Sequence, residues 1–483
     1  MKTREGAKTH EHSLNHALEF FSKAGSLYTN SSRSNRMPFY GIENESTAKE
    51  LFINSFIVDP HLSMRLLFWL RDCRGGAGNR SGSQAIYTWL AQNYPDWIKL
   101  NMHFIPVHGR WSDLVSLFKT PLREQAGKFW AKAIYGGDVL AAKWAKRHHK
   151  PTRKALGMKE AEFRKALAGI RKDHIVEHLM CQKQWDKVSY KTVPSVAMSR
   201  YTRAFLKHDE LRFQAYKDAV KKGIEKVHAE TLFPHDCVRT AFHGDGEMAE
   251  LQFDALPNYM EGTDEKVMVI CDTSGSMSSI ISGSVEAIHV SMGMALYCSS
   301  RLPEDNPFYK RFIAFCSEGK FVDWRKHTFR TALGDRSVFD GAVGSTRIDK
   351  ALDLILKIAV QRDIDQSQMP TTLLIVSDMQ FHQGTRQYKG GEALTEVDKA
   401  MVRWDKKGYQ RPKVVYWNTA GYQGSQDTIN SENVGMVSGF SPSICKAIFS
   451  GDDFNPMAVM MRAIEKYECV VPWDSKISSY VRL

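Results

Sequence analysis

The pattern of apolar positions changes character about half-way along the chain. Up to residue 263, apolar residues recur at intervals of three and four. HSLNHALEFFSKAG, STAKELFINSFIVD, HLSMRLLFWLRDC and SQAIYTWLAQNYP open the series. HGRWSDLVSLFKT, VLAAKWAKRHH, KEAEFRKALAGIRKDHIVEHLM, SVAMSRYTRAFLKHDELRFQAYKDAVKKG and HDCVRTAFHG continue it. A spacing near 3.6 gathers these groups into one stripe of a helix, so the first half is predicted to be helical throughout. Such stripes are buried most simply against one another, which predicts helix pairs stacked in succession as an α-helical, HEAT-like repeat. No fixed sequence period accompanies the stacking.

From residue 264 short, nearly continuous apolar runs alternate with helical stripes. The strand-like runs are KVMVI (266–270), FYKRFIAFCS, TTLLIVSDM, PKVVYWNTA and VGMVSGF. VEAIHVSMGMALYCSS, STRIDKALDLILKIAVQ, GEALTEVDKAMVRWDKKG, PSICKAIFSG and NPMAVMMRAIEKYE lie between and after them as helices. Strands apolar on both faces predict a parallel sheet covered on both sides, a doubly wound α/β fold whose ligands bind at the C-terminal strand ends. The stretch TFRTALGDRSVFDGAVGS reads as a loop at the rim of that end. The chain is therefore expected to be multidomain. A mobile N-terminus (1–14) precedes a helical domain (15–263), an α/β domain (264–470) and a C-terminal tail (471–483).

Composition adds a functional direction. The 483 residues exceed what one core usually serves. No apolar run reaches the ~18–20 residues of a membrane span, so no membrane association is expected. MKTREGAKTHEHSLNH lacks an apolar signal region, and the eight Cys are scattered without CxxC pairs, which points to free thiols in the cytoplasm. The formal net charge of +12 is confined to one half. Residues 1–263 hold 40 Lys and Arg against 28 Asp and Glu; residues 264–483 hold 26 of each. A basic half beside a neutral one suggests a polyanion partner for the basic half, against the plainer reading of a solubilising surface.

The candidate chemistry sits in VMVICDTSGSMSSI (267–280). Asp272, Ser274 and Ser276 follow a buried strand directly, and Gly275 allows a tight turn between them. Thr346 in GSTRIDKAL precedes a helix, and Asp378 in LLIVSDMQF ends the most apolar strand. All three loops belong at one end of a parallel sheet. Two carboxylates and three hydroxyls make a hard oxygen set suited to Mg2+, which keeps waters and takes one or two protein carboxylates; the same set accepts Ca2+ or Mn2+. The plain alternative is a serine-rich helix cap without an ion.

This constellation resembles the metal-ion-dependent adhesion site of von Willebrand factor A domains: DxSxS at 272–276, a Thr in a second loop and an Asp at a strand end. The resemblance implies that an acidic group of a partner completes the metal's coordination. The order of a basic helical half and a von Willebrand half resembles TROVE-domain proteins of the Ro ribonucleoprotein type, and more closely an uncharacterised relative of that group. FWLRDCRGGAGNR (68–80), HGRWSDLVSLF (108–118), residues 163–201, FLKHDELRFQAY (205–216) and VSGFSPSICKAIF (437–449) carry it, over roughly residues 15–470. It implies a ring of helical repeats closed by the von Willebrand domain, and binding of small noncoding RNA or the single-stranded ends of misfolded RNA. The chain departs from the pattern at Arg347, where an Asp is expected after Ser-Thr.

Independently of family, the densest basic tract is KWAKRHHKPTRK (143–154), with Trp144 inside it. Lys143, Lys146, Arg147, His148, Lys150, Arg153 and Lys154 there, and Arg164, Lys165, Arg171 and Lys172 in FRKALAGIRK, are the candidate RNA contacts. Basic groups neutralise phosphates and aromatic rings stack on unpaired bases, while a solvated helix face is the competing reading for each residue alone. His174, Glu177 and His178 form H-x-x-E-H without a third ligand in view, so no catalysis is expected from them. RGGAGNRSG lacks the GK[ST] ending of a phosphate loop and reads as an interhelical loop, with Arg71, Arg74 and Arg80 in reach of phosphate. His12 and His16 lie four apart near the N-terminus. The expected protein is a non-enzymatic RNA binder. A metal-dependent interaction scaffold without an RNA role, and an accessory subunit of a chelatase or remodelling machine, are the alternatives.

Overall fold

The computed structural model describes residues 13–26, 47–146, 149–172, 175–278, 280–282, 285–335, 337–339, 344–382, 395–420, 431–450 and 454–472. Residues 1–12 and 473–483, with His12, lie outside them. Ser13 is fully buried, and its backbone N–H donates to Glu19 Oε2 at 2.7 Å. The ordered helical half therefore begins before residue 15.

The described part of 13–263 is helical, as the apolar spacing requires. Asn15 caps His16–Ala24, Thr47 and Glu50 form a reciprocal cap on Ala48–Val58, and Asp59 caps Pro60–Arg71 with Pro at its first position. Successive helices pack on one another through this region. The segment Trp111–Lys119 differs from expectation, being a 3-10 helix rather than an α-helix. Asp113 closes it at both ends of its side chain, accepting from the Arg110 backbone and from Arg71 and Arg80.

Among the described residues eight strands follow: β1 (Val267–Asp272), β2 (Ile280–Ser282), β3 (Val285–Glu286), β4 (Arg311–Phe315), β5 (Gly319–Asp323), β6 (Thr372–Ser377), β7 (Lys413–Asn418) and β8 (Val434–Ser438). Among the described residues the main sheet runs β5-β4-β1-β6-β7-β8. All its pairs are parallel except β4 with β5. The antiparallel edge and the small β2–β3 hairpin were not legible, because both are short and only half apolar. TFRTALG also differs from the loop reading: Thr328 caps a helix over Phe329–Gly334. The protein is thus a multidomain α/β protein, an all-helical half joined to a parallel-rich sheet.

Chain order and strand order together locate the ligand end. From β1 the chain crosses to β4 on one side, then returns to β6 on the other. The crossovers diverge at the neighbouring C-terminal ends of β1 and β6, the place where open α/β sheets leave a crevice.

The two halves are not separated by a gap in packing. One continuous apolar cluster contains Phe20, Trp69 and Trp130 of the helical half and Ile270, Ile375 and Trp417 of the sheet. Ala287–Ser300 shows why. Its sequence is apolar all round, and it is buried all round, lying between β1, β4 and β6 on one side and Pro234–His243 on the other. At the far edge Ser438 Oγ donates to the Phe21 carbonyl and accepts from the Gly25 N–H. Arg65 donates to the carbonyls of Ile464 and Tyr467, and Asn101 exchanges two hydrogen bonds with the Val470 backbone. A smaller second cluster, with Tyr190, Phe205 and Phe213 at its centre, organises the helices between residues 176 and 251.

Candidate functional site

At the β1–β6 crevice the five sequence-selected oxygen residues come together. Asp272 ends β1, where the fully buried Val267–Cys271 run delivers it to the C-terminal end of the sheet. Its Oδ1 accepts from the Ser274 N–H at 2.9 Å, which folds the following loop back on itself. Ser274 Oγ lies 3.2 Å from Ser276 Oγ and accepts from Thr346 Oγ1 at 3.1 Å. Asp378 follows β6, the strand paired with β1, and its Oδ1 accepts from the Gln380 N–H at 3.1 Å. Asp272, Ser274, Thr346 and Asp378 are fully buried; Ser276 is half-buried.

Backbone contacts lock the three loops to one another. Thr273 donates twice to the Phe315 carbonyl at the end of β4. The Gly275 N–H donates to the Gly344 carbonyl, and the His382 N–H to the Thr346 carbonyl. Gly344 has φ +119°, and a Cβ there would lie 2.2 Å from Ser317 Oγ, so only glycine serves. Met379, directly after Asp378, also has a positive φ, +63°, unusual for a residue with a side chain.

Sequence reasoning overlooked Ser377. Its hydroxyl donates to Asp272 Oδ2 at 2.5 Å and accepts from the Met379 N–H at 3.0 Å. The available signal was a hydroxyl directly before the strand-end Asp, in a strand otherwise apolar. Arg347, the departure from the expected acidic residue, makes a paired contact with Asp349 at 2.8 Å to each oxygen. Its positive charge is therefore answered two residues away.

Electrostatics marks this place. Burial first, and the charge of Asp378 second, push the Asp272 carboxyl well above the usual carboxylate range. Two carboxylates held out of water beside one another stay ionised at little cost only with a cation between them. Among the described residues no group of three or more His, Cys, Asp and Glu gathers as metal ligands. An ion here would instead take two carboxylates and hydroxyl oxygens, a set that suits hard, partly hydrated Mg2+.

The basic candidates are dispersed. Arg147 and His148 lie outside the described residues, as does His174. Val139–Trp144, which carries Lys143, packs on Glu160–Arg171, while Lys150–Ala155 packs on Arg123–Tyr135. Lys143 pairs with Glu177 at 3.1 Å and Lys154 with Glu124 at 3.7 Å. Arg171 turns back to the Leu167 carbonyl. Lys146, Lys150, Arg164, Lys165 and Lys172 are exposed, and Arg153 is half-buried. One face of Trp144 is taken by the Arg110 guanidinium, 5.3 Å from its ring. Of the glycine-rich loop, Arg71 is fully buried against Asp113, Arg74 donates to the Val107 carbonyl, and Arg80 reaches Asp113 and Ser112. His178 meets the Gln182 side chain at 2.8 Å.

The fold and crevice define an α/β protein with a strand-end oxygen site, joined to a helical half. Residues 266–471 match a family model described as a domain of unknown function, DUF7788, and residues 130–270 match a second, DUF2828, described in the same words. The chain is also similar to Uncharacterized protein L728 of Acanthamoeba polyphaga mimivirus, 26% identical over 515 residues that cover 92% of this chain and 87% of that protein. The second model spans the helices from Trp130 onward and ends inside β1, so both matches meet at the strand that leads into the crevice.

Proposed function

We propose that this chain is a Ro-like RNA-binding protein. In this reading its α/β half is a von Willebrand factor A domain with a Mg2+-dependent adhesion site, and its basic helical half is a HEAT-like repeat that holds RNA. The observation that carries the reading is the convergence of Asp272, Ser274, Ser276, Thr346 and Asp378, from three separate loops, on one buried crevice. The ion neutralises the two carboxylates, and an acidic residue of a protein partner occupies a remaining coordination position. Ser377 and the Ser274 N–H hold Asp272 toward the ion. RNA, a small noncoding species or the single-stranded end of a misfolded one, is held by phosphate contacts whose strength falls with salt.

The test is filter binding of a structured RNA with a single-stranded tail, at physiological salt, with and without Mg2+. Affinity clearly above that of a neutral control protein is expected. Asp272→Ala is expected to abolish Mg2+ uptake in calorimetry and to leave RNA binding in place. Micromolar or weaker RNA binding, no better than the control, sinks the RNA part; undiminished Mg2+ uptake by the variant sinks the metal part.

A further inference from the structure

Ser195–His208 and Pro234–His243 face one another across a groove that none of the residues considered above occupies. The helices are tied by Ser199 Oγ and Thr240 Oγ1, 2.7 Å apart, and by Arg203, which donates to the His243 carbonyl. The groove encloses about 430 Å³. Past Arg203 and Gly244 it opens into a second lobe of about 530 Å³ that Lys217 and Arg330 border. Both volumes lie in the range of small-ligand sites, about 300–1,000 Å³.

Its chemistry is that of an anion seat. Arg200 and Arg203 stand one turn apart on the first helix; Arg239 and His243 stand one turn apart on the second. Two carboxylates also border it, Asp236 beside Arg239 within the groove and Asp245 beside Lys217 of the second lobe. Asp236 Oδ2 accepts from the Phe233 N–H at 3.1 Å, and its Oδ1 lies 3.8 Å from Arg239. Asp245 Oδ1 accepts from the Glu247 and Met248 N–H groups, and its Oδ2 lies 3.3 Å from Lys217. Glu247, in the second lobe, is bound by Lys217 and Lys221. Arginines on facing helices, with two hydroxyls between them, offer several N–H donors to one tetrahedral anion.

A second observation agrees with the geometry. His289, near the start of Ala287–Ser300, is buried with its ring 6.1 Å from that of Phe242. Burial, then Arg239, His235 and His243, push its pKa down to about 4. Burial is the main cause that keeps this imidazole neutral, and the cationic and imidazole groups of Pro234–His243 add to it. Ala287–Ser300 is the helix that follows the DxSxS loop and the β2–β3 hairpin.

We propose that this groove is a phosphate seat, in which Arg200, Arg203 and Arg239 bind a phosphoryl group. Its source as an RNA strand rests on the RNA-binding reading above; the anion chemistry itself does not, and a free nucleotide or pyrophosphate offers the same group. An RNA strand seated here would run beside the helix that leaves the oxygen site.

The experiment uses the full chain and three probes: a short 5′-phosphorylated oligouridylate followed by fluorescence anisotropy, and inorganic pyrophosphate and ATP by calorimetry. Arg200→Glu/Arg203→Glu is compared with Lys165→Glu/Lys172→Glu on the exposed face of Glu160–Arg171. Arg200→Gln alone, an exposed position, guards against misfolding, and circular dichroism checks each variant. The groove variant is expected to bind the oligonucleotide about tenfold more weakly or worse. Its slope of log affinity against log salt should fall by about 1.4, two phosphate contacts at about 0.7 each for a single strand. The Lys165 variant should change far less. If the groove variant binds like the wild type while the Lys165 variant fails, the seat is overturned and the RNA reading stands. Wild-type binding of pyrophosphate or ATP, lost in Arg200→Gln, without oligonucleotide binding supports the seat and overturns the RNA reading. Binding of none of the three probes overturns both.

Discussion

Asp272 and Asp378 place two carboxyl groups together out of water, and the groups around them reveal which parts of the site are positioned rather than merely present. Ser377 donates to Asp272 from the strand that also delivers Asp378, so its hydroxyl orients one ligand of the proposed ion. Ser377→Ala should lower divalent-cation affinity by about 10–100-fold, read by calorimetry with Mg2+ or Mn2+, while the fold survives. In the helical half, Asp113 is the sole carboxylate among its contacts with Arg71, Arg80, Gln84 and the Arg110 backbone, and Arg71 is as buried as it is. Asp113→Ala leaves that guanidinium buried without its counter-charge, and urea unfolding should register a loss of about 3–5 kcal/mol. His289 gives stability a pH dependence. Its folded pKa of about 4 lies below the ordinary value near 6.5, so above 6.5 both states are neutral and nothing changes. As pH falls from about 6.5 toward 4, the unfolded chain takes up a proton that the folded chain refuses, and stability drops by up to about 3 kcal/mol. His289→Gln should flatten that part of the urea-midpoint profile; an unchanged slope would show that other groups cause it. At this scale the sequence was most informative about the candidate oxygen residues, because DxSxS, the Thr and the Asp each stand at a strand or helix boundary. It was least informative about Arg71, Arg74 and Arg80, whose partners lie tens of residues away and of which only Arg71 is turned inward.

Among the elements, the reversal after Pro60–Arg71 shows how a loop can look like a binding motif and be a structural turn. RGGAGN folds back so that the Ala77 N–H reaches the Trp69 carbonyl and the Asn79 N–H the Leu70 carbonyl. A Cβ on Gly76 would stand 2.1 Å from the Trp69 carbonyl oxygen, which cannot move without undoing the helix end. Gly76→Ala should therefore lower the melting temperature strongly, and a neutral result would contradict this account of the glycines. Gly293 plays a related part in Ala287–Ser300, where a Cβ would meet the Pro234 and His235 backbone at 2.9 Å. Gly293→Ala is expected to cost about 1–3 kcal/mol by forcing the two helices apart. Helices and long strands were legible because their periods, 3.6 and continuous apolarity, are written locally. β5 and the β2–β3 hairpin were not, since a short edge strand shows only half its residues to the core.

For the whole molecule, the division at residue 264 is real in secondary structure and absent in packing. One core runs through both halves, and Arg65, Asp72 and Asn101 grip residues 464–470 from the helical side. Calorimetry on the full chain should accordingly show one cooperative unfolding transition; two resolved transitions would mean that the halves are independent. The +12 charge belongs at this scale too, as does the expectation that RNA affinity falls steeply with salt. The sequence by itself determined the helical first half, the alternating second half, the strand-end placement of Asp272 and Asp378, and the location of the excess charge. Each follows from periodicity or counting, which need no knowledge of distant neighbours. Only the tertiary structure decided that Ser377 braces Asp272, and that Arg200, Arg203 and Arg239 line one groove. The physical reason is range: a hydrogen bond or an ion pair acts over about 3–4 Å in space, and that proximity is created by packing between segments the chain order keeps apart.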